Sequence, residues 1–323
     1  MNQADNKRMA ITTLPRYRAT WQLLLLFCTI SYSSCKEKEV AFSANNCKSN
    51  PPFIQGMGFE PKASFFSTSE QTSMGLVLLQ SSAPGSAQAS IVKREQHPSW
   101  RKGGWLAPIV LDKVGNIFTA PAPFISVLDN PVSNQNTIYK VDGNTGVMDE
   151  FLRLPLSDTT VQNPFGIIGM ILLCESNTLY VSSLSGSDQL HERGAIYAVD
   201  LDNKKIIDKI TATDAMGMGI SYITGKRTLY FGTGRSSDIY AVELTSNGKF
   251  EGKPQQIFSI AGLGVSGDDK VRRISTDNYG NLTIHGVSFA YNLIPAREKK
   301  ETIYTYIYDG ENKKWVLNGV NGG

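Results

Sequence analysis

Side chains that carry out chemistry in most enzymes are sparse in this chain and lie far apart. His97, His191 and His285 sit in three different stretches, with no HxxxH or CxxC spacing to assemble a zinc site. No Gly-x-Ser-x-Gly elbow exists to present a nucleophilic serine. "GLGVSG" (262–267) satisfies the G-x-G-x-x-G spacing of a phosphate loop. The residues directly after it, "DDKVRRIS", read as loop and strand, so no helix N-terminus is available to meet a phosphate. "DLDN" (200–203) opens like a calcium loop but lacks the following glycine and the distal glutamate, and reads as a turn. The patch "HPSWRKGGW" (97–105) sets Trp100 and Trp105 either side of Arg101 and Lys102. Trp100, Arg101 and Trp105 are candidate ligand-binding residues, since exposed Trp beside Arg is common where partners are recognised. The alternative is that both tryptophans are plugs between packed sheets.

The elements that must position these groups announce themselves by repetition. "GNIFTAP" (115–121), "NTLYVSS" (177–183), "RTLYFGT" (227–233) and "GNLTIHG" (280–286) are near copies of one phrase. Before each comes an apolar, small-residue strand: "GWLAPIVLD", "FGIIGMILLC", "AMGMGISYI" and "KVRRISTD". After each comes a third strand, "NTIYKVD", "GAIYAVD", "SDIYAVE" or "ETIYTYIYD", and a fourth comes after a turn rich in Asp, Asn and Gly. The anchors Ile117, Leu179, Leu229 and Leu282 are 62, 50 and 53 residues apart. Four short antiparallel strands on such a period predict an all-β protein, a β-propeller of five or six four-stranded blades with almost no helix. A more divergent first unit is expected in "FIQGMGFE" (53–60), "KASFFSTS" (62–69), "MGLVLLQ" (74–80) and "QASIVKRE" (88–95). A two-domain β-sandwich is the other architecture that fits runs of short strands. Glycines recurring in the first strands, as in "GIIG" and "GMG", are expected where backbones crowd the axis.

These phrases, an apolar inner strand, a second strand of "GNIF" or "NTLYV" type and a third of "IYxVD" type, resemble the gluconolactonase/senescence-marker and NHL-like propeller superfamily over most of residues 50–323. That resemblance implies a divalent metal, Ca2+ or Mg2+, at the mouth of the axial channel, held by side-chain oxygens. The matching positions here are Glu60 in "GMGFEP", Asn163 in "NPFGI" and Asp269 in "GDDKV", with Asp269 also the carboxylate that would serve as base. Without the resemblance, Glu60 and Asp269 read as solvated loop carboxylates and Asn163 as a turn residue.

The first residues carry an address. Lys7, Arg8, Arg16 and Arg18 precede the apolar run "WQLLLLFCTI" (21–30), and small residues come after it. This is the order of a secretory signal, and the run is too short to span a bilayer. "YSSCKEKE" then resembles a lipobox and export tag of Bacteroidetes-type surface lipoproteins. The expected organisation is a signal over 1–34, a tether over 35–47 acylated on Cys35, and a propeller over 48–323. Plain secretion or a periplasmic location is the alternative to an outer-membrane or cell-surface lipoprotein. Removing 1–34 takes away four basic residues and one acidic one, so the net charge of +3 falls to zero. A neutral domain has no electrostatic footprint for nucleic acid. Cys47 and Cys174 remain in an oxidising compartment, where they form a disulfide or stay as inert thiols.

Two functions are expected from these features. One is a lipid-anchored, extracytoplasmic propeller that binds a small molecule, glycan or protein partner through its loop-rich channel face. The other is a metal-dependent lactonase-like hydrolase.

Overall fold

The computed structural model describes residues 48–70, 72–122, 128–156, 163, 165–291 and 301–322. The expected signal and tether, with Cys35 and Cys47, therefore lie outside the described residues. Among those described, no helix is long and apolar enough to cross a membrane.

Five antiparallel sheets succeed one another along the chain as a β-propeller. The first holds β1 (Ser64–Ser67), β2 (Val77–Ser81) and β3 (Ile91–Glu95). The second holds β4 (Leu106–Leu111), β5 (Ile117–Pro121), β6 (Thr137–Val141) and β7 (Met148–Arg153). The third holds β8 (Ile167–Leu173), β9 (Thr178–Ser183), β10 (Ala195–Asp200) and β11 (Lys205–Thr211). The fourth holds β12 (Ala215–Ser221), β13 (Thr228–Thr233), β14 (Asp238–Leu244) and β15 (Phe250–Ser259). The fifth holds β16 (Lys270–Thr276), β17 (Leu282–Val287), β18 (Thr302–Asp309) and β19 (Lys314–Asn321). Each sheet pairs its strands in chain order, as a blade must.

The first blade departs from the expected four strands, with three among the described residues. "FIQG" is not a strand but a single helical turn, α1 (Phe53–Gly56). Pro51 and Pro52 precede it, and Pro52 sits at φ −55°, already helical. The turn lets the adjacent Phe53 and Ile54 both enter the core, whereas a strand would send them to opposite faces.

Packing explains the repeated phrase. Buried clusters join the first sheet to the second, the second to the third, the third to the fourth and the fourth to the fifth. Every residue of β9 and of β13 is buried, because each lies in a blade covered on both faces. The "IYxVD" strands place Ile138, Val141, Ile196 and Val199 wholly inside, while the terminal Asp closes the next turn. The Asp200 carboxylate accepts the Asp202 and Asn203 backbone N–H groups and the Asn203 amide. Glycines admit the inner strands to one another: a Cβ on Gly217 would lie 2.7 Å from the Arg273 nitrogen, and one on Gly169 2.7 Å from the Met216 carbonyl.

Candidate functional site

One end of the propeller gathers the connections that enter each innermost strand and the loops between second and third strands. The residue just ahead of β12, Asp214, is buried there with a side-chain exposure of 0%. Its Oδ1 accepts the Ser187 hydroxyl and the Gly194 N–H, the latter at 3.0 Å. Its Oδ2 accepts Arg235 Nε at 2.9 Å and the Tyr291 hydroxyl at 2.6 Å. A carboxylate this deep is tolerable because one guanidinium and three neutral donors replace its water. Gly194 is required for the approach, since a Cβ there would stand 2.4 Å from Asp214 Oδ1. Burial, and then the Asp214 carboxylate, push the Tyr291 phenol far above the ordinary tyrosine range.

Arg235 does more than neutralise Asp214. Its guanidinium lies 5.0 Å from the Tyr291 ring centroid and donates to the carbonyls of Asp188, Gln189 and His191. The Asp188 carboxylate accepts the Leu190 and His191 N–H groups at 2.8 Å each. The His191 ring, followed by those two amides, holds the Asp188 carboxyl down at about 2. The turn 188–191 is thus fastened from beneath and within, and Leu190 at its tip is 86% exposed. Leu128 at 92% and Val265 at 82% stand on loops of other blades at the same end.

Of the residues singled out by sequence, Asn163 belongs to this framework, as a brace. Its amide donates to the Leu184 and Ser187 carbonyls and its Oδ1 accepts the Phe165 N–H. Asp269 is buried ahead of β16, the position equivalent to Asp214, and accepts the Tyr304 hydroxyl at 2.8 Å. It is therefore not a solvated loop carboxylate. Glu60 is exposed beside the first blade, where its backbone bonds the Gln80 and Ser64 side chains. Trp100 is a correction: it is wholly buried between the first two blades, its Nε1 donating to the Gly146 carbonyl at 2.7 Å, and presents nothing to a ligand. Arg101 is exposed and bonded to Gln96. Trp105 is half-buried; its indole N–H reaches Asp129, and its backbone N–H and carbonyl are held by Asn130. Cys174 takes part in a disulfide whose other half lies outside the described residues.

A hard divalent cation needs oxygen lone pairs that are free and a surplus of negative charge. Asn163, Asp269 and Asp214 each already have donors on their oxygens, and the cation beside Asp214 is a guanidinium. Among the described residues, no cluster of three or more His, Cys, Asp or Glu side chains could hold a metal ion. The residues present do not fit the metal that the resemblance implies. At the opposite end of the third and fourth blades, a cavity of about 470 Å3 is lined by Glu175, Tyr222, Lys226, Arg227, Glu243 and Glu251. Its two cations are already paired with Glu175 and Glu243.

No protein-family model matches the chain, and no curated protein matches it in sequence. Its structure is similar to that of regucalcin, a calcium-binding protein from Agrobacterium tumefaciens, with a TM-score of 0.48 and 16% identity over 80% of this chain and 71% of that one. It is similar to a luciferin-regenerating enzyme with a TM-score of 0.49 and 12% identity over 88% and 78%. It is also similar to an exo-β-1,3-galactanase from Phanerochaete chrysosporium, with a TM-score of 0.44 and 8% identity over 80% and 64%. The propeller assignment rests on the strand order and packing of this chain itself.

Proposed function

We propose that the chain is an exported binding propeller, held at the cell envelope through an acylated Cys35, that engages a protein partner with its loop-rich end. The observation that carries this is Leu190, an apolar side chain almost fully in water on a turn fastened by Arg235 and Asp188. Holding an anchor in one geometry before contact lowers the ordering cost of binding. Leu128 and Val265 extend the apolar contact across other blades, and Trp105 with Arg101 supplies the residue types enriched at binding hot spots. A glycan or small-molecule ligand at the same end is the other outcome open to test. The hydrolase reading has less support: of the implied ligands, Asn163 accepts the Phe165 N–H, Asp269 accepts the Tyr304 hydroxyl, and Glu60 is exposed beside the first blade.

The test is a photo-crosslinking residue placed at 190 and, as control, at Tyr279, which is 75% exposed at the far end of the fifth blade. Intact cells should give a discrete adduct from position 190 only. Equal labelling from both positions, or none, would sink the proposal. Labelling with a palmitate analogue, in wild type against Cys35→Ala, checks the anchor. Lactone hydrolysis that depends on added Ca2+ would favour the hydrolase instead.

A further inference from the structure

The inner strands of blades two to five share one irregularity. The pairing register slips between Leu106 and Ile109, Ile167 and Gly169, Ala215 and Met218, and Val271 and Arg273. A bulge of this kind turns an extra side chain to a face it would otherwise avoid. In three blades the residues within the slip are Ala107 and Pro108, Ile168, or Met216 and Gly217. The fifth blade places Arg272 there, next to Arg273, and both are exposed.

Both arginines stand on the face of the fifth blade turned away from the fourth, and nothing among the described residues buries them. Val271, Ile274, Leu282, Ile284, Tyr304 and Tyr306 pack toward the fourth blade. Along β17, the equivalent of the wholly buried β9 and β13, burial alternates with half-exposure. On the side turned away from the fourth blade, Arg273, His285 and Ile303 form one cross-strand row, and Ser275, Thr283 and Thr305 form the next. Arg273 Nη2 lies 3.1 Å from both His285 ring nitrogens, and His285 Nδ1 lies 3.0 Å from Glu301 Oε2. Arg272 pairs with the other Glu301 oxygen at 2.8 Å. Among the described residues no carboxylate comes within ion-pair distance of Arg273.

We infer that Arg273, with Arg272 beside it, is a binding site for a carboxylate group on a hydroxylated small molecule, a sugar acid. Two guanidinium charges against one glutamate leave a single positive charge when His285 is neutral, which matches a monoanion. The planar fork of arginine suits a carboxylate. The hydroxyl row one step along the face, about 7 Å away at strand spacing, gives a sugar ring partners that a simple acid does not need. No residue of the Leu190 turn belongs to this site.

The experiment is calorimetric titration of the intact chain with sodium D-glucuronate, D-glucose and inorganic phosphate, with the His285 ring signals followed by NMR. Glucuronate should bind and move the His285 signals, while glucose should not bind. Arg273→Gln should weaken glucuronate roughly tenfold to a hundredfold, the scale of a charge-assisted hydrogen bond. Glu301→Gln should tighten it by removing the competing charge, a change that a merely structural ion-pair cluster would not give. Leu190→Asp should leave it unchanged. The assignment is overturned by no glucuronate binding, by equal affinity in Arg273→Gln, by weaker affinity in Glu301→Gln, or by phosphate binding more tightly than glucuronate.

Discussion

Arg235 and Asp214 meet at 2.9 Å across the loop end of the propeller, one residue fastening a surface turn and the other wholly out of water. Removing Arg235 strands the Asp214 charge, and removing Asp214 leaves Arg235 the longer ion pair with Glu192 at 3.9 Å. Asp214→Ala is expected to cost about 3–5 kcal/mol, the usual penalty for breaking a buried pair from one side. Arg235→Ala should cost a comparable amount and also release the 188–191 turn. In the double variant no stranded charge remains, so the two losses should fall short of additive by about 1–3 kcal/mol. Urea unfolding of the four proteins gives the answer, and additive losses would show that the pair is not coupled.

How far the sequence reveals this pair depends on how it is built. Blades are legible because each obeys the same local demand: alternating strands that bury a face against a neighbouring blade, joined by turns that Asp, Asn and Gly favour. Ile196 and Val199 are buried for the reason Ile138 and Val141 are. The helical turn at Phe53 is harder to see, since four mostly apolar letters look like a strand and only Pro51 and Pro52 hint otherwise. The site leaves almost no local trace. Asp214 is 21 residues from Arg235, which the β12–β13 pairing of Ala215 with Thr233 brings beside it, and 77 from Tyr291, which only the stacking of the fifth blade on the fourth supplies. One signal is present: an aspartate directly ahead of an innermost strand occurs at both Asp214 and Asp269, and only the second resembles a motif.

Trp100 gives a test of the first blade. It is packed 5.8 Å from Phe53 and 5.9 Å from Phe66, ring centre to ring centre, and hydrogen-bonded to Gly146. Trp100→Ala should cost about 3–5 kcal/mol by opening a cavity. Gly75→Ala should also be destabilising, because φ is +95° there and the new Cβ would meet the Trp100 carbonyl at 2.1 Å. Both are read by the midpoint of thermal unfolding. Wild-type stability in either variant would show that this blade does not pack as described.

Surface and core should separate cleanly at the 188–191 turn. Leu190→Asp removes an exposed side chain and should leave stability within about 0.5 kcal/mol of wild type. It should nevertheless abolish the adduct formed from a crosslinker at the neighbouring Gln189. Loss of stability would mean that Leu190 is packed in solution, and an undiminished adduct would remove it from the proposed interface.

Calcium offers a third contrast. A cation bound at 100 times its dissociation constant would stabilise the fold by about 2.7 kcal/mol, readily seen as a rise in melting temperature. With Arg235 on Asp214 and Tyr304 on Asp269, wild type should melt at the same temperature in millimolar Ca2+ and in EDTA. A rise with Ca2+ that EDTA reverses would place a metal in the fold and return the hydrolase to consideration.

Alkali should unfold the protein through its tyrosines. Burial pushes the Tyr230 phenol up from an ordinary value of 10.0 to about 12, and burial followed by Glu175 does the same to Tyr222. Tyr180 and Tyr291 are displaced further in the same direction, chiefly by burial. Proton counting gives the sign. Below pH 10 both the native and the unfolded chain hold these protons, and stability does not change on their account. Between 10 and 12 the unfolded chain releases them and the native one retains them, so stability falls by about 1.4 kcal/mol per pH unit for each such tyrosine. With four acting together, the urea midpoint should drop steeply above pH 10 and be nearly flat on the neutral side. Tyrosinate absorbance should show the same residues ionising only as the chain unfolds. If instead all of the tyrosines titrate near 10 in the folded protein, these phenols are not enclosed between the blades.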